Sequence, residues 1–172
     1  MSASMEKWAS SNDKMENNIY SPEYVGQLFE RMSATYDRVN HITSFGFSRR
    51  WRRQCVRLLE LKPGMNVVDF MTGMGEAWPH ILEGIGTAGR LTAVDFCPAM
   101  IRMAEKQRKQ FDRYSIELLV EDALHSSLPD QCADAVVATF GLKTFMKSQI
   151  DQFAAEILRI LRPGGTFSLI EV

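Results

Sequence analysis

From residue 63 onward, apolar residues follow two alternating rhythms. Short continuous apolar runs, Val67-Val68 with Phe70, Leu91 to Val94, Ile116 to Val120, Ala135 to Thr139 and Thr166 to Val172, read as strands covered on both faces. Between them apolar residues recur at helical spacing: Trp78, Ile81, Leu82 and Ile85 fall at i, i+3, i+4 and i+7, with Pro79 in the first turn, where a missing N–H costs little. Pro98 opens a helix with Ile101, Ala104 and Phe111 turned inward. Ser148 is expected to cap a strongly periodic helix that buries Ile150, Phe153, Ala154, Ile157, Leu158 and Leu161. Lys62-Pro63-Gly64 and Pro163-Gly164-Gly165 read as turns. Strand and helix alternate five times, which predicts an α/β fold: a doubly wound parallel sheet in the order 3-2-1-4-5.

The part before residue 63 is different. Residues 1–20 are polar, rich in serine and asparagine, and expected to be mobile. Ser21-Pro22 is a helix start, followed by Val25, Leu28, Phe29, Met32 and Tyr36 at helical spacing; a second helix after Ser48 would bury Trp51, Cys55, Leu58 and Leu59. The chain thus divides into a flexible segment 1–20, a helical segment 21–62 expected to cover a ligand site, and an α/β core 63–172, one domain overall.

Composition narrows the classes. With 172 residues, 45% apolar and 24% charged, the chain can bury a sizeable core. A net charge of -1 argues against a whole-domain nucleic-acid binder. No apolar run approaches a membrane span or a signal-peptide core, so at most peripheral membrane contact is expected. Cys55, Cys97 and Cys132 are isolated and predict a reducing, cytoplasmic setting. His41, His80 and His125 show no metal-binding pattern, and no metal is expected. Arg49, Arg50, Arg52, Arg53 and Arg57 crowd one helix; the reading preferred is a solvated face, ahead of an anionic partner.

The stretch Val67-Val68-Asp69-Phe70-Met71-Thr72-Gly73-Met74-Gly75-Glu76 organises the rest. A buried strand feeds a glycine turn and a helix start, an arrangement expected to present free N–H groups to a polar or anionic ligand. The dinucleotide fingerprint would need glycine where Trp78 stands, and a phosphate-binding P-loop would need a lysine this turn lacks. What remains is D-x-x-x-G-x-G with Asp95 closing the next strand, where a carboxylate suits a ribose diol. Asp69 is expected to steady the turn by accepting backbone N–H bonds.

Glycine turn, Asp95 and βα rhythm together resemble the class I methyltransferase site for S-adenosylmethionine. A narrower resemblance lies in Tyr36-Asp37-Arg38-Val39-Asn40, continuing through Ser44 to Trp51, and in Arg159-Ile160-Leu161-Arg162-Pro163-Gly164-Gly165 running to Ile170-Glu171. These are similar to the ends of the ubiquinone/menaquinone C-methyltransferase family, with Val39 in place of methionine and Ser48 in place of histidine. The resemblance implies S-adenosylmethionine as cofactor, held by Gly73, Met74, Gly75, Asp95, Asp122, Ala123 and Thr139, with Met100 on the adenine or simply in the core. Met74 stands where the family has threonine, Asp122 where it has asparagine and Thr139 where it has serine. The catalytic base is unknown; His125 reads as a surface residue before a base, and Lys143, in place of a family arginine, as either a substrate contact or a surface lysine. Two further strands that the methyltransferase fold normally adds, and much of the substrate site, are expected to be missing. Strand five is then an apolar edge through which the chain could dimerise, and cofactor binding is expected without efficient turnover. Three functions remain open: C-methylation of a lipophilic quinone precursor, methylation of a lipid amine or natural product, and a non-catalytic cofactor-binding module.

Overall fold

The computed structural model describes residues 47–171. The helix start at Ser21-Pro22, the periodic stretch Val25 to Tyr36, the motif from Tyr36 to Ser44, His41 and Val172 lie outside the described residues. The elements run in chain order α1 (Phe47–Arg57), β1 (Asn66–Phe70), α2 (Trp78–Ile85), β2 (Arg90–Asp95), α3 (Pro98–Arg108), β3 (Ser115–Val120), β4 (Ala133–Thr139), α4 (Lys147–Ile160) and β5 (Leu161–Ile170), with short 3-10 turns at Lys109–Phe111 and Leu142–Thr144. All strand pairs are parallel and the sheet order is β3-β2-β1-β4-β5, as the alternation predicts. The order reverses between β1 and β4, and the chain turns leaving their C-terminal ends diverge there.

Two apolar layers sandwich the sheet. On one side Trp78, Ile81, Leu82 and Ile85 of α2 pack with Cys55, Val56 and Leu59, all at most 3% exposed. On the other, Phe153, Ile157 and Ile160 of α4 meet Val68, Phe70, Val136 and Ala138. Phe153 lies edge-on to Phe70 at 5.5 Å. Burying side chains of this size contributes about 1.5–3 kcal/mol each, which is what commits these helices to the sheet.

Local packing corrects several expectations. Leu58 is 72% exposed and Val56 is buried in its place. Helix α1 ends at Arg57, and the tighter Leu59 N–H to Val56 C=O bond rotates Leu58 away from the face its spacing assigns. On α4 the inward stripe is Phe153, Glu156, Ile157 and Ile160, whereas Ile150 and Leu158 are 46% and 70% exposed and Ala154 faces solvent. Ser148 is not the cap: the helix begins at Lys147, and Gln149 Oε1 reaches back 2.8 Å to accept from the extended Met146 N–H. Phe111 falls beyond α3 in the following 3-10 turn and packs against Trp78. Strand β5 starts at Leu161, directly after α4; Pro163-Gly164-Gly165 is an irregularity within it, where pairing jumps from Ala133–Leu161 to Ala135–Thr166. Among the described residues no helix is long and apolar enough to cross a membrane.

Candidate functional site

A cleft open to solvent sits where the strand order reverses. Met71, Thr72 and Gly73 reach it from the end of β1, Asp95 and Phe96 from β2, Met100 from α3, Thr139, Phe140 and Gly141 from β4, Glu76 from the glycine turn and Arg52 from α1.

The glycine turn is a closed unit. Gly73 has φ 59° and Gly75 φ 90°, and a Cβ on Gly75 would stand 2.6 Å from the Trp78 ring, so only glycine fits there. The Thr72 N–H donates to Val94 C=O at 3.1 Å, which folds the turn over the end of β2. That places the Gly73 N–H 2.8 Å from Asp95 Oδ2, while the Cys97 N–H donates to Asp95 Oδ1 at 2.9 Å. The Met74 N–H donates to Glu76 Oε2 at 3.1 Å and the Gly75 N–H to Thr72 C=O. The expectation of free N–H groups is therefore corrected for Gly73, Met74 and Gly75: Asp95 of β2 takes the first, and Glu76 and the Thr72 C=O of the turn take the others. The carboxylate that steadies the turn is Asp95, not Asp69, because the turn lies over β2. Asp69 accepts instead from Thr72 Oγ1–H at 2.6 Å, and Thr72 Oγ1 accepts from Trp78 Nε1–H at 2.9 Å.

The site is short of positive charge. Asp69 is buried and its Oδ1 has no partner. Burial raises its carboxyl to about 7, with Glu76 and Asp95 adding in the same direction and Thr72 and Arg52 opposing. Burial likewise pushes Asp95 up to about 6, against the pull of the Cys97 and Gly73 N–H bonds. Met71 (φ 54°) and Phe140 (φ 63°) hold left-handed backbone conformations at the ends of β1 and β4, a strain of about 1–3 kcal/mol each that the packed strands sustain. Such residues concentrate where a ligand is gripped.

Of the residues the sequence points to, Gly73, Asp95, Met100 and Thr139 line one cleft. Gly75 shapes the turn behind it. Met74 is buried beside Met100, Cys97 and Ala99. Asp69 lies beneath Thr72, outside the lining. Asp122 and Ala123 follow β3 and do not line the cleft; Asp122 Oδ1 accepts the Leu124 N–H at 2.9 Å, an Asx turn. His125 is exposed, and Lys143 pairs with Glu171 at 3.5 Å on the surface. Sequence reasoning missed Arg52, Glu76, Phe96 and Phe140. A signal for Arg52 existed: it shares the i, i+3, i+4, i+7 face with Cys55, Val56 and Leu59, the buried stripe of α1.

The donor set fits a particular ligand. Asp95 uses one lone pair on each oxygen and keeps capacity for a diol. Two desolvated carboxylates without full compensation favour a ligand carrying positive charge, and Met100 and Phe96 offer an apolar wall for a flat ring. S-adenosylmethionine, with a ribose diol, a sulfonium and an amino acid, meets each demand.

Several solved structures with this fold are methyltransferases. A phosphoethanolamine N-methyltransferase from Haemonchus contortus, in complex with S-adenosylhomocysteine, matches with a TM-score of 0.69 at 18% identity, over 88% of this chain and 33% of that one. A SAM dependent methyltransferase from Aquifex aeolicus matches with a TM-score of 0.63 at 23% identity, over 70% and 63%. The fold is thus that of the class I methyltransferases. The sequence model of the ubiE/COQ5 methyltransferase family matches residues 16–172, and the chain belongs to that family. It is 32% identical over 149 residues to demethylmenaquinone methyltransferase of Listeria welshimeri, covering 87% of this chain and 62% of that protein. The enzyme of the same name from Lactobacillus johnsonii is also 32% identical, over 86% and 60%. The chain spans about three fifths of the length of these relatives.

Proposed function

We propose that this chain binds S-adenosylmethionine in the cleft between β1 and β4 and serves a methyltransferase acting on a carbon of a quinone-precursor ring. The observation that carries the cofactor reading is the under-compensated pair Asp69 and Asp95 behind a glycine turn at the point where the strand order reverses. The acceptor reading rests on family membership and on the activity for which the relatives are named. Bound there, the cofactor supplies an electrophilic methyl group on a sulfonium.

This chain's residues do the rest. Asp95 accepts from the ribose hydroxyls while its backbone bonds hold it in place. Met100 and Phe96 flank the base, with Met74 packed behind Met100. Asp122 and Ala123 sit after β3, on the side of the cleft where the adenine edge would come to lie. Asp69 places negative charge under the glycine turn, favouring the cationic cofactor over its neutral product. Thr139 and Gly141 form the floor on which an acceptor ring approaches. Positioning of this kind can account for about 7–11 kcal/mol of a barrier, without an acid or base on the methyl group itself. Cys55, Cys97 and Cys132 form no disulfide among the described residues, which fits a reducing, cytoplasmic setting, and the β5 edge offers a strand to a second copy.

Equilibrium binding tests the cofactor reading. Asp95→Ala should weaken S-adenosylmethionine on the order of tenfold to a hundredfold, the loss expected for a charge-assisted pair of hydrogen bonds. Unchanged affinity would place the site elsewhere. Turnover with a demethylated naphthoquinol, set against an ethanolamine lipid, tests the acceptor. Binding without turnover on any acceptor would favour a cofactor-binding module.

A further inference from the structure

Helix α1 carries five arginines and no acidic residue. One of them, Arg52, turns into the cleft: its side chain is 12% exposed, its guanidinium lies 4.8 Å above the centre of the Phe140 ring, and its buried Nε–H finds no acceptor among the described residues. The other four, Arg49, Arg50, Arg53 and Arg57, are exposed. At about 100° per residue, Arg50, Arg53 and Arg57 fall within about 60° of one another, with Arg49 beside them. Arg50, Arg53, Gln54, Arg57 and Leu58 line a shallow hollow open to solvent, and Leu58 is 72% exposed there. Among the described residues none of the four arginines closes an ion pair with an acid. Glu60 and Glu83 border them from an adjoining hollow that also holds His80. The positive field still reaches α2: burial first, then the charges of Arg49 and Arg53, hold the His80 imidazole below its usual range, with Glu83 opposing. A face that only keeps a protein dissolved mixes both signs of charge. This one has a single sign, gathered around an exposed leucine, in a chain of net charge -1.

We propose that the outer face of α1 docks on an anionic membrane surface, its arginines taking lipid phosphates while Leu58 enters the acyl boundary. The docking face stands apart from the cleft and does not depend on the cofactor reading. A guanidinium fork matches the oxygens of a phosphate, and a cluster of this size is enough to draw a protein to an anionic leaflet. The apolar side of α1 is already spent on the core through Cys55 and Val56, so the attraction is mainly electrostatic. Leu58 is what favours a bilayer over a nucleic acid, because a phosphate backbone gives an exposed leucine nothing to bury against. Arg52 on the other side of the same helix lines the cleft. The docking face and the cleft wall are therefore separated by the thickness of one helix, about 10–12 Å. A chain held this way keeps its cleft next to the surface from which a lipid-dissolved molecule would emerge.

Co-sedimentation of the full chain with vesicles tests this without any substitution. Phosphatidylcholine vesicles containing about 30% phosphatidylglycerol should bind at least about tenfold more tightly than phosphatidylcholine alone. The preference should vanish near about 1 M salt, where charges are screened within about 3 Å. Equal binding to both vesicles, or binding to neither, would overturn the proposal. The combined variant Arg50→Gln, Arg53→Gln and Arg57→Gln should lose on the order of a hundredfold, about fivefold for each arginine taken from the surface. Removing three charges from elsewhere, as Lys106→Gln, Lys109→Gln and Arg113→Gln, should leave binding within about twofold. An equal loss in both triple variants would show that total charge, and not this face, is responsible, and would overturn the assignment. Leu58→Ser should weaken vesicle binding by at least about threefold with its salt dependence unchanged, since apolar burial is not screened. Binding to duplex DNA as tight as to the anionic vesicles, with Leu58→Ser without effect on either, would assign the face to nucleic acid and overturn the membrane proposal.

Discussion

The protein holds two groups of buried acids that differ in how they are satisfied. At the foot of α4, Glu156 is 6% exposed, yet it accepts the Ser126 N–H and hydroxyl and both Nε–H and a terminal N–H of Arg159, at 2.9 and 2.7 Å from the arginine. Arg159 also reaches Asp130 Oδ1 and Leu128 C=O, each at 2.7 Å. Burial alone would raise Glu156, but these partners outweigh it and hold its carboxyl below the usual range. In the cleft the balance goes the other way: Asp69 and Asp95 lie deeper in the protein, with fewer donors, and stay protonated to about 7 and about 6. Depth and number of partners together separate the group that locks α4 to the loop from Ser126 to Asp130 from the one left ready for a charged ligand.

The largest expected effect is on the satisfied side. Glu156→Ala leaves Arg159 and Ser126 without their shared acceptor and should cost about 2–4 kcal/mol, seen as a fall in Tm of roughly 5–12 °C. A negligible shift would erase the contrast, since both groups would then be dispensable.

The next effect has the opposite sign. Asp69 titrates near 3.8 in the unfolded chain and near 7 when folded. Over that window the fold keeps its proton and the unfolded chain does not, so stability is greatest below pH 4 on this account and is lost as pH rises toward 7. Asp69→Asn should stabilise the ligand-free protein at pH 8 by about 1–3 kcal/mol, seen as a raised Tm, and leave the Tm unchanged near pH 4. Loss of stability at pH 8 would show that the Asp69 charge is already compensated.

Ligand binding should carry the same signature. A cationic cofactor favours the ionised forms of Asp69 and Asp95, so its stabilisation of the protein should increase from pH 5.5 to pH 8, several-fold in affinity. Flat affinity across that range in calorimetry would mean neither carboxylate senses the ligand. The smallest effect belongs to the surface. Lys143→Ala removes an exposed pair with Glu171 and should change stability by less than about 1 kcal/mol. A raised KM for the acceptor with stability intact would restore Lys143 as a substrate contact.

Much of the fold was legible because it depends on period. Apolar runs bounded by turns placed all five strands, and Trp78, Ile81, Leu82 and Ile85 marked their helix face correctly, since a stripe that matches the helical repeat has one way to reach the sheet. The same reasoning misplaced Leu58 and, on α4, Ile150, Ala154 and Leu158, while Phe153, Ile157 and Leu161 are buried as expected. On α4 both Ile150–Ala154–Leu158 and Phe153–Ile157–Ile160 are helical stripes, and only contact with Phe70 and the Ser126 loop selects between them.

For the site, the sequence by itself determined the glycine turn and the acid that closes β2, because both follow a strand end that local pattern identifies. Only the tertiary structure decided which acid holds the turn. Asp69 and Asp95 are 26 positions apart in the chain, and the choice rests on Thr72 folding over β2 rather than back on β1. It also decided that Arg52 differs from its neighbours. Residue type made all five arginines alike; helix rotation against the core turned one of them into the cleft, where burial and an unpartnered N–H change what its charge can do.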